Sequence, residues 1–494
     1  MSEREIVRTR MAPSPTGLPH LGNFRTLVFN WLLARHHSGQ FVLRIEDTDV
    51  ARKVEGAIDA FLDAMRWLRL DWDEGPEVGG PYAPYFQSER LPIYREHAER
   101  LIAQGDAYYC FCSPERLTAM RAEQQRRKEP PGYDRICRNL TEAEVNTRLA
   151  EGVTPVIRFK VPLEGSTSFY DLIHGEITFP NSAMDDFVII KSDGYPTYHL
   201  AHLVDDHLMR ISHVLRADEW ISSAPRHVLL YRAFGWEPPK FAHVPQILGP
   251  DKSKLSKRHG ATSVLAYRDM GYLPEAMVNY LALLGWAYDA SAEIMSKQEL
   301  IERFSIEKIN KTGAVFDINK LDWMNGYYIR QLTVEDLTSR LMPFLENAGL
   351  ATENDRPHVE QIVPLIQERL KKLGEVTELT DFFFAGTLEF DSRLLVAKGL
   401  TSEASLDALQ VARERVAVLP NWDRASLEEA IRPLAEELGL KTGQLFGILR
   451  VASTGRTAAP PLFETMEVLG RQLVMARLGE AEERLRRLAG GPEA

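Results

Sequence analysis

The sequence predicts an α/β fold of Rossmann type, split by an α+β insertion and followed by all-α domains. Strands and amphipathic helices alternate over the first ninety residues, the rhythm breaks from about 91 to 200, and from Thr333 onward the signals are helical. Strand–helix–strand–helix order argues for a parallel sheet. Ile6 to Met11 is the first strand, closed by Pro13-Ser14-Pro15-Thr16-Gly17, which continues neither a strand nor a helix. A helix starts near Asn23, with Phe24, Leu27, Val28, Trp31 and Leu32 on one face, and Gly39 stops it. Phe41 to Ile45 is the second strand, and a second helix carries Val54, Ile58, Phe61, Met65 and Leu68 in one stripe. The insertion is marked by the charged run Arg121 to Lys128, a Pro130-Pro131-Gly132 turn and β-like runs such as Val156 to Val161. The α/β pattern resumes near Ala201 and closes with Phe241 to Leu248. Thr333 caps a helix ending at Gly349, and Ser426 with Glu429 has the spacing of a capping box.

Composition bounds the function. The chain has 494 residues, 44% of them hydrophobic, enough for three to five domains at about 100–200 residues each. No apolar run approaches the roughly 18 residues that cross a bilayer. Met1 to Arg10 is charged and lacks an apolar signal core, so nothing points to export. Three cysteines make no disulfide framework and fit a reducing cytoplasm. The net charge of −11 requires any nucleic-acid face to be a local basic patch.

Two segments carry chemistry. Pro13 to Asn23 lies between a strand and a helix N-terminus, where free N–H groups and the helix dipole suit the charge of a phosphate. His20 is placed to donate to a phosphate oxygen, and Gly22 to let a nucleotide approach the backbone. The bland alternative is a Pro/Gly turn with an incidental histidine. The second segment, Asp251 to Gly260, follows the last α/β strand and holds Lys252, Lys254 and Lys257. Flexible lysines there would neutralise charge developing on pyrophosphate. Alone, such a run reads as a solvated loop; the pairing of the two segments around an insertion is what is specific.

In that pairing the chain resembles the class I aminoacyl-tRNA synthetases, and most of all the bacterial glutamyl-tRNA synthetases. Arg44-Ile45-Glu46-Asp47-Thr48-Asp49, Tyr85 to Arg90, Lys191 to Leu200, Val204-Asp205-Asp206-His207, Arg216 to Trp220 and Trp323-Met324-Asn325-Gly326 extend the similarity over nearly the whole chain. The resemblance implies a monomer that joins L-glutamate to tRNA(Glu), using ATP with Mg2+. It also implies that tRNA binds before glutamate is activated. It places His20, Gly22, Lys254 and Lys257 in catalysis. Arg10 and Arg216 would take the glutamate side-chain carboxylate, for which guanidinium forks are suited. Ala12, Ser14 and Tyr198 would surround the substrate, Glu46 would meet its ammonium group, and Glu219 and Trp220 would lie on the adenosine side. The alternative for Arg10 and Arg216 is pairing with local acids. The family often has asparagine where this chain has His202, so no role is carried to that position.

The resemblance further implies a catalytic domain in two halves, 1–90 and 201–252, around an acceptor-stem-binding insertion at 91–200. A stem-contact domain at 253–332 would carry the lysine-rich loop, followed by helical anticodon-binding domains at 333–393 and 394–494. Arg369 falls where the family inspects the last anticodon base. Cys110, Cys112 and Cys137 with Tyr133 match a zinc site of some relatives, the phenolate replacing the usual fourth ligand. Thiols without metal are the alternative. Glutaminyl-tRNA synthetase, whose anticodon end is built of β-barrels, and an inactive tRNA-binding paralogue are the rival readings.

Overall fold

In the computed structural model, which describes residues 6–490, β1 (Arg8–Met11) runs parallel to β2 (Gln40–Leu43), with Arg10 opposite Val42. Between them lies α1 (Leu21–His36). The expectation of a single apolar face on this helix is corrected: it is buried nearly all round, Arg25 and Asn30 included. Those two polar side chains are tolerated because backbone carbonyls accept from them: Pro245 and Leu284 from Arg25, and Thr26 and Leu215 from Asn30. The stop is also corrected. Ser38 takes the left-handed turn, at φ +51°, and Gly39 is needed because a Cβ there would collide with the Val7 carbonyl. The second helix, α2 (Ala57–Trp67), buries Phe61 and Met65, but Val54 precedes it and is exposed.

The insertion follows with α3 (Leu91–Gln104), β3 (Ala107–Cys110), α4 (Pro114–Arg126), α5 (Glu142–Ala150) and β4 (Val156–Phe159). Next come β5 (Ser166–Asp171), β6 (Gly175–Pro180) and β7 (Val188–Ile190). The charged run Arg121 to Lys128 lies largely on α4, none of whose residues is buried. The α/β pattern returns with α6 (Tyr198–Leu208), β8 (His213–Ala217), α7 (Ala224–Phe234) and β9 (Lys240–Val244). The sheet order is β6-β5-β9-β8, and β1 lies beside β8 through the bond from Ser212 N to Arg8 O. In the parallel β8–β9 pair, Arg216 stands opposite His243. β5 joins the other side of β9, with Asp171 opposite Phe241.

Beyond the sheet, β10 (Ile247–Leu248) leads into the lysine-rich loop. Then come α8 (Val264–Met270), α9 (Pro274–Leu283), α10 (Lys297–Arg303) and β11 (Ala314–Val315), the last paired with β10. The rest of the described chain is helical: α11 (Ile318–Arg330), α12 (Val334–Asn347), α13 (Arg356–Ile366), α14 (Val376–Phe384) and α15 (Ser402–Ala417). It ends with α16 (Arg424–Glu437), α17 (Thr442–Thr454), α18 (Leu462–Leu469) and α19 (Arg471–Ala489). Thr333 caps α12, its side chain accepting from Asp336 N at 3.2 Å. On α16 the expectation is corrected. Asp423, not Ser426, is the cap, and its carboxylate accepts from Ser426 N at 2.8 Å because a carboxylate three residues ahead outcompetes the hydroxyl.

The chain divides into two units. One runs up to Arg268 and includes Pro274–Ile318; the other comprises Asp269–Leu273 and everything from Asn319. Within the second, Asn325 is buried and accepts from Leu273 N at 2.8 Å, which accounts for that position of the Trp323 to Gly326 run as packing, while Trp323 itself is exposed.

Candidate active site

The first unit holds a cleft of about 960 Å³ at the carboxyl ends of β1 and β8, where ligands enter open α/β sheets. Arg10, Ala12, Ser14, His20, Gly22, Glu46, Tyr198, Arg216, Glu219, Trp220 and Lys254 all line it. The Lys257 side chain lies outside the described residues; its backbone begins a short 3-10 turn, Lys257–His259.

His20 is the N-cap of α1, and its Nδ1 accepts from Gly22 N at 3.1 Å. The proton of the neutral ring therefore sits on Nε2, and burial, with Lys254 nearby, pushes the ring's pKa down. One expectation fails here. The first N–H groups of α1 are already used: Leu21 N bonds Thr262 O, Gly22 N bonds His20, and Asn23 N and Phe24 N bond His20 O. The helix offers its dipole and the His20 ring, but not free amides. A Cβ on Gly22 would meet only His20 Nδ1, at 3.5 Å.

The lysine-rich loop is a tight hairpin, with Gly249 N bonded to Ser253 O and Leu255 N to Ile247 O. Asp251 accepts from Ser253 N and Arg258 Nη2, both at 3.0 Å. Lys254 Nζ reaches Glu219 Oε2 at 2.7 Å, and both side chains are exposed.

Beneath the cleft lies a buried ionic network. Arg10 Nε donates to both oxygens of Asp206, at 3.1 and 3.3 Å. Arg44 bridges Asp206 at 2.8 Å and Glu46 at 3.0 Å. Asp205 accepts from Arg90 Nε at 2.7 Å, Gln87 Nε2 at 2.9 Å and Tyr94 OH at 2.7 Å. Burial alone would raise the Asp206 pKa, but Arg10 and Arg44 hold it at about 2. Burial raises Glu46 despite Arg44 and Arg10. The local-acid alternative thus holds for Arg10, in part: Nε is engaged, while its Nη atoms bond no protein group among the described residues.

Arg216 differs. It has no carboxylate partner among the described residues. Its three nitrogens donate to neutral groups: Nε to His243 Nε2 at 3.1 Å, Nη1 to Tyr198 OH at 3.0 Å and Nη2 to His227 Nδ1 at 3.1 Å. Asp171 Oδ2 lies 2.6 Å from His243 Nδ1, and His199 Nδ1 lies 3.1 Å from His227 Nε2. Sequence reading missed these histidines and Asp171, because Asp171 and His243 are 72 positions apart and neither sits in a recognisable pattern. His202 is buried, stacked on the Tyr198 ring at 4.4 Å.

Two predicted features lie outside the cleft. Arg369, in a 3-10 turn of the second unit, is exposed. In the insertion, the Sγ atoms of Cys110, Cys112 and Cys137 lie within 4.8 Å of one another. Tyr133 OH stands 3.2 Å from Cys110 Sγ and 3.6 Å from Cys112 Sγ. Arg158 covers the Tyr133 ring at 3.9 Å, and Arg116 Nη1 reaches Cys112 Sγ at 3.5 Å. The predicted donors converge, with cations placed to stabilise thiolates.

Cleft, lysine-rich loop and fold together have the form of a class I synthetase, and sequence comparison agrees. Residues 6–323 match the family described as tRNA synthetases class I (E and Q), catalytic domain, and residues 336–482 match an anticodon binding domain. The chain belongs to this class I family. Its place there is with the bacterial glutamate–tRNA ligases. The enzyme so named from Dehalococcoides mccartyi (strain BAV1) is 59% identical over 482 residues, which cover 97% of this chain and 98% of that one. Its counterpart from Moorella thermoacetica is 49% identical, covering 97% and 99%. A crystal structure of a glutamate tRNA ligase from Elizabethkingia meningosepticum, in complex with its amino acid, superposes with a TM-score of 0.89. That protein is 36% identical, with 97% of this chain and 99% of the other covered.

Proposed function

We propose that the chain attaches L-glutamate to tRNA(Glu) through a glutamyl-adenylate. The observation that carries this is one cleft lined both by Arg10, Tyr198 and an Arg216 without a carboxylate partner among the described residues, and by His20 and Lys254. The two guanidinium groups take the side-chain carboxylate of glutamate, and Glu46 faces its ammonium group. Glutamine, isosteric but uncharged, leaves the buried cation uncompensated and is disfavoured. Ala12 and Ser14 wall the substrate. ATP enters as its magnesium complex, with Trp220 and Glu219 on the adenosine side. The glutamate α-carboxylate attacks the α-phosphate and pyrophosphate leaves. His20 donates from Nε2 to the phosphate, while Lys254 and Lys257 neutralise the leaving charge. The terminal ribose hydroxyl of the tRNA then attacks the activated carbonyl, the bond to phosphate breaks, and AMP leaves with the hydroxyl proton passing to its phosphate. No step needs a protein nucleophile; positioning and charge do the catalysis.

The division of labour follows the chain. Residues 91–200 grip the acceptor stem, 253–332 contact the stem, and the helical domains at 333–393 and 394–494 read the anticodon, with Arg369 at its last base. Three thiolates and the Tyr133 phenolate would hold one structural zinc ion, which would tie the β3 end to the 133–137 turn. Metal analysis of the purified protein checks this: one zinc per chain is expected, and a metal-free protein with three titratable thiols would remove it.

The decisive test is aminoacylation of total tRNA with labelled glutamate beside labelled glutamine, assigned by isoacceptor. Glutamate on tRNA(Glu) alone is the expected result. Glutamine transfer would revive the glutaminyl reading, and no transfer by folded protein would leave only a tRNA-binding paralogue.

A further inference from the structure

A buried guanidinium is ordinarily held by a carboxylate, as Asp206 holds Arg10. That arrangement fixes position but cancels charge. Around Arg216 the fold fixes position with no carboxylate in direct contact among the described residues. Arginine has no acceptor, so every partner within bonding distance must accept from it. His243 must therefore present a bare Nε2, and its proton must sit on Nδ1, pointing at Asp171 Oδ2, 2.6 Å away. His227 must present a bare Nδ1, so its proton sits on Nε2 and is donated to His199 Nδ1. The tautomers of three rings follow from one guanidinium. Asp171 is in turn locked by the backbone N–H groups of Ile173, His174 and His243, at 2.9, 2.9 and 3.0 Å. His174 Nε2 lies 2.9 Å from His243 O. Asp171, His227 and His243 are fully buried. Burial pushes His243 and His227 down, so both stay neutral near pH 7, Asp171 only partly opposing this at His243.

Building on the reading of Arg216 as a glutamate ligand, we infer that His243, oriented by Asp171, and His227, oriented by His199, are positioning residues for the substrate. They aim Arg216 while leaving its charge free for the incoming carboxylate. The same network sets a third group. Tyr198 OH accepts from Arg216 Nη1, so its own proton is turned away from the guanidinium and serves as a donor in the cleft that both residues line.

The test compares shape with acceptor in the full chain. In His243→Gln the amide oxygen takes the place of Nε2; in His243→Leu the acceptor is gone. His227→Asn against His227→Leu makes the same comparison at Nδ1. KM for glutamate, KM for ATP and kcat are measured in aminoacylation, with thermal melts to establish folding. The leucine variants should raise KM for glutamate about tenfold or more, by the loss of one hydrogen bond to a charged group, with KM for ATP and kcat within about threefold. The amide variants should recover most of that loss. A folded leucine variant with unchanged KM for glutamate, amide variants as impaired as leucine, or a parallel rise in KM for ATP would overturn the inference. Arg216→Ala separates the two readings. If it leaves KM for glutamate unchanged, the assignment of Arg216 to the substrate falls. If it raises KM while the leucine variants do not, only the histidine inference falls. Should the leucine variants fail to fold, histidine 15N spectra of the native chain at pH 7 decide. His243 must be the Nδ1–H tautomer and His227 the Nε2–H tautomer, and an imidazolium or the reverse tautomer at either position overturns the inference.

Discussion

Lys254 and Glu219 meet at the mouth of the cleft, and because both are exposed their pairing contributes about 0–1 kcal/mol. A polyphosphate reaching Lys254 would displace Glu219 at little cost. Lys257 should matter more to the rate. Lys257→Ala is expected to slow activation about 10²–10³-fold, as removal of one preorganised donor does, and a pyrophosphate-exchange loss under about threefold would take it out of the mechanism. Deeper in, Asp206 serves both Arg10 and Arg44. Asp206→Asn leaves two buried guanidinium groups short of charge and should destabilise the fold by about 3–5 kcal/mol; urea denaturation measures it, and a loss under about 1 kcal/mol would show the network to be dispensable. At this scale the sequence was partly legible. Arg10, Glu46 and Arg216 could be picked out because their neighbours resemble a known pattern. Asp171, His227 and His243 could not: strand pairing brings Asp171 and His243 to Arg216, and the packing of α7 brings His227, and no local signal encodes either.

Elements make their own contributions. Thr333→Ala should cost about 1 kcal/mol, the usual value of an N-cap hydroxyl, read as a lower denaturation midpoint; no shift would mean that Asp336 N finds another acceptor. Helix α6 carries a titration. Burial, with Arg226 and Arg216 nearby, holds the His199 pKa near 4 against an ordinary 6.5. The unfolded chain then binds more protons between those values, so stability is full above pH 6.5 and falls as pH drops toward 4. Between pH 7 and 5 this one ring should remove about 2 kcal/mol. Equilibrium unfolding of His199→Gln beside the native chain checks it: the variant should lose less stability on acidification. Element types were legible wherever periodicity was long, as in the helical third. The all-round burial of α1 was not, because its polar positions are satisfied by carbonyls of distant segments. The Asp423 cap was missed because two capping patterns overlap within four residues.

For the whole molecule, a net charge of −11 means that tRNA must be met by local basic patches. Its affinity should fall linearly in log–log terms with salt, each neutralised phosphate adding about −0.7 to −0.9 to the slope. Filter binding across a salt series measures this, and a slope near zero would exclude phosphate contacts. The layered order of α/β, insertion and helical domains was legible from the chain because each layer changes the period of its apolar residues. The sheet order was not, because β5 pairs with β9 although Asp171 and Phe241 stand 70 positions apart. Helix α6 shows what such convergence does to heredity. Tyr198, His202, Asp205 and Asp206 share one face of it, and His199 lies beside them. A single inserted or deleted codon there turns every later side chain by about 100°, since a turn takes 3.6 residues. Tyr198 and the acids that steady Arg10 and Arg44 would then part company in one event. A substitution along this helix is felt at one site, whereas a change of length displaces all of them at once, so the spacing should outlast most of the residues that occupy it.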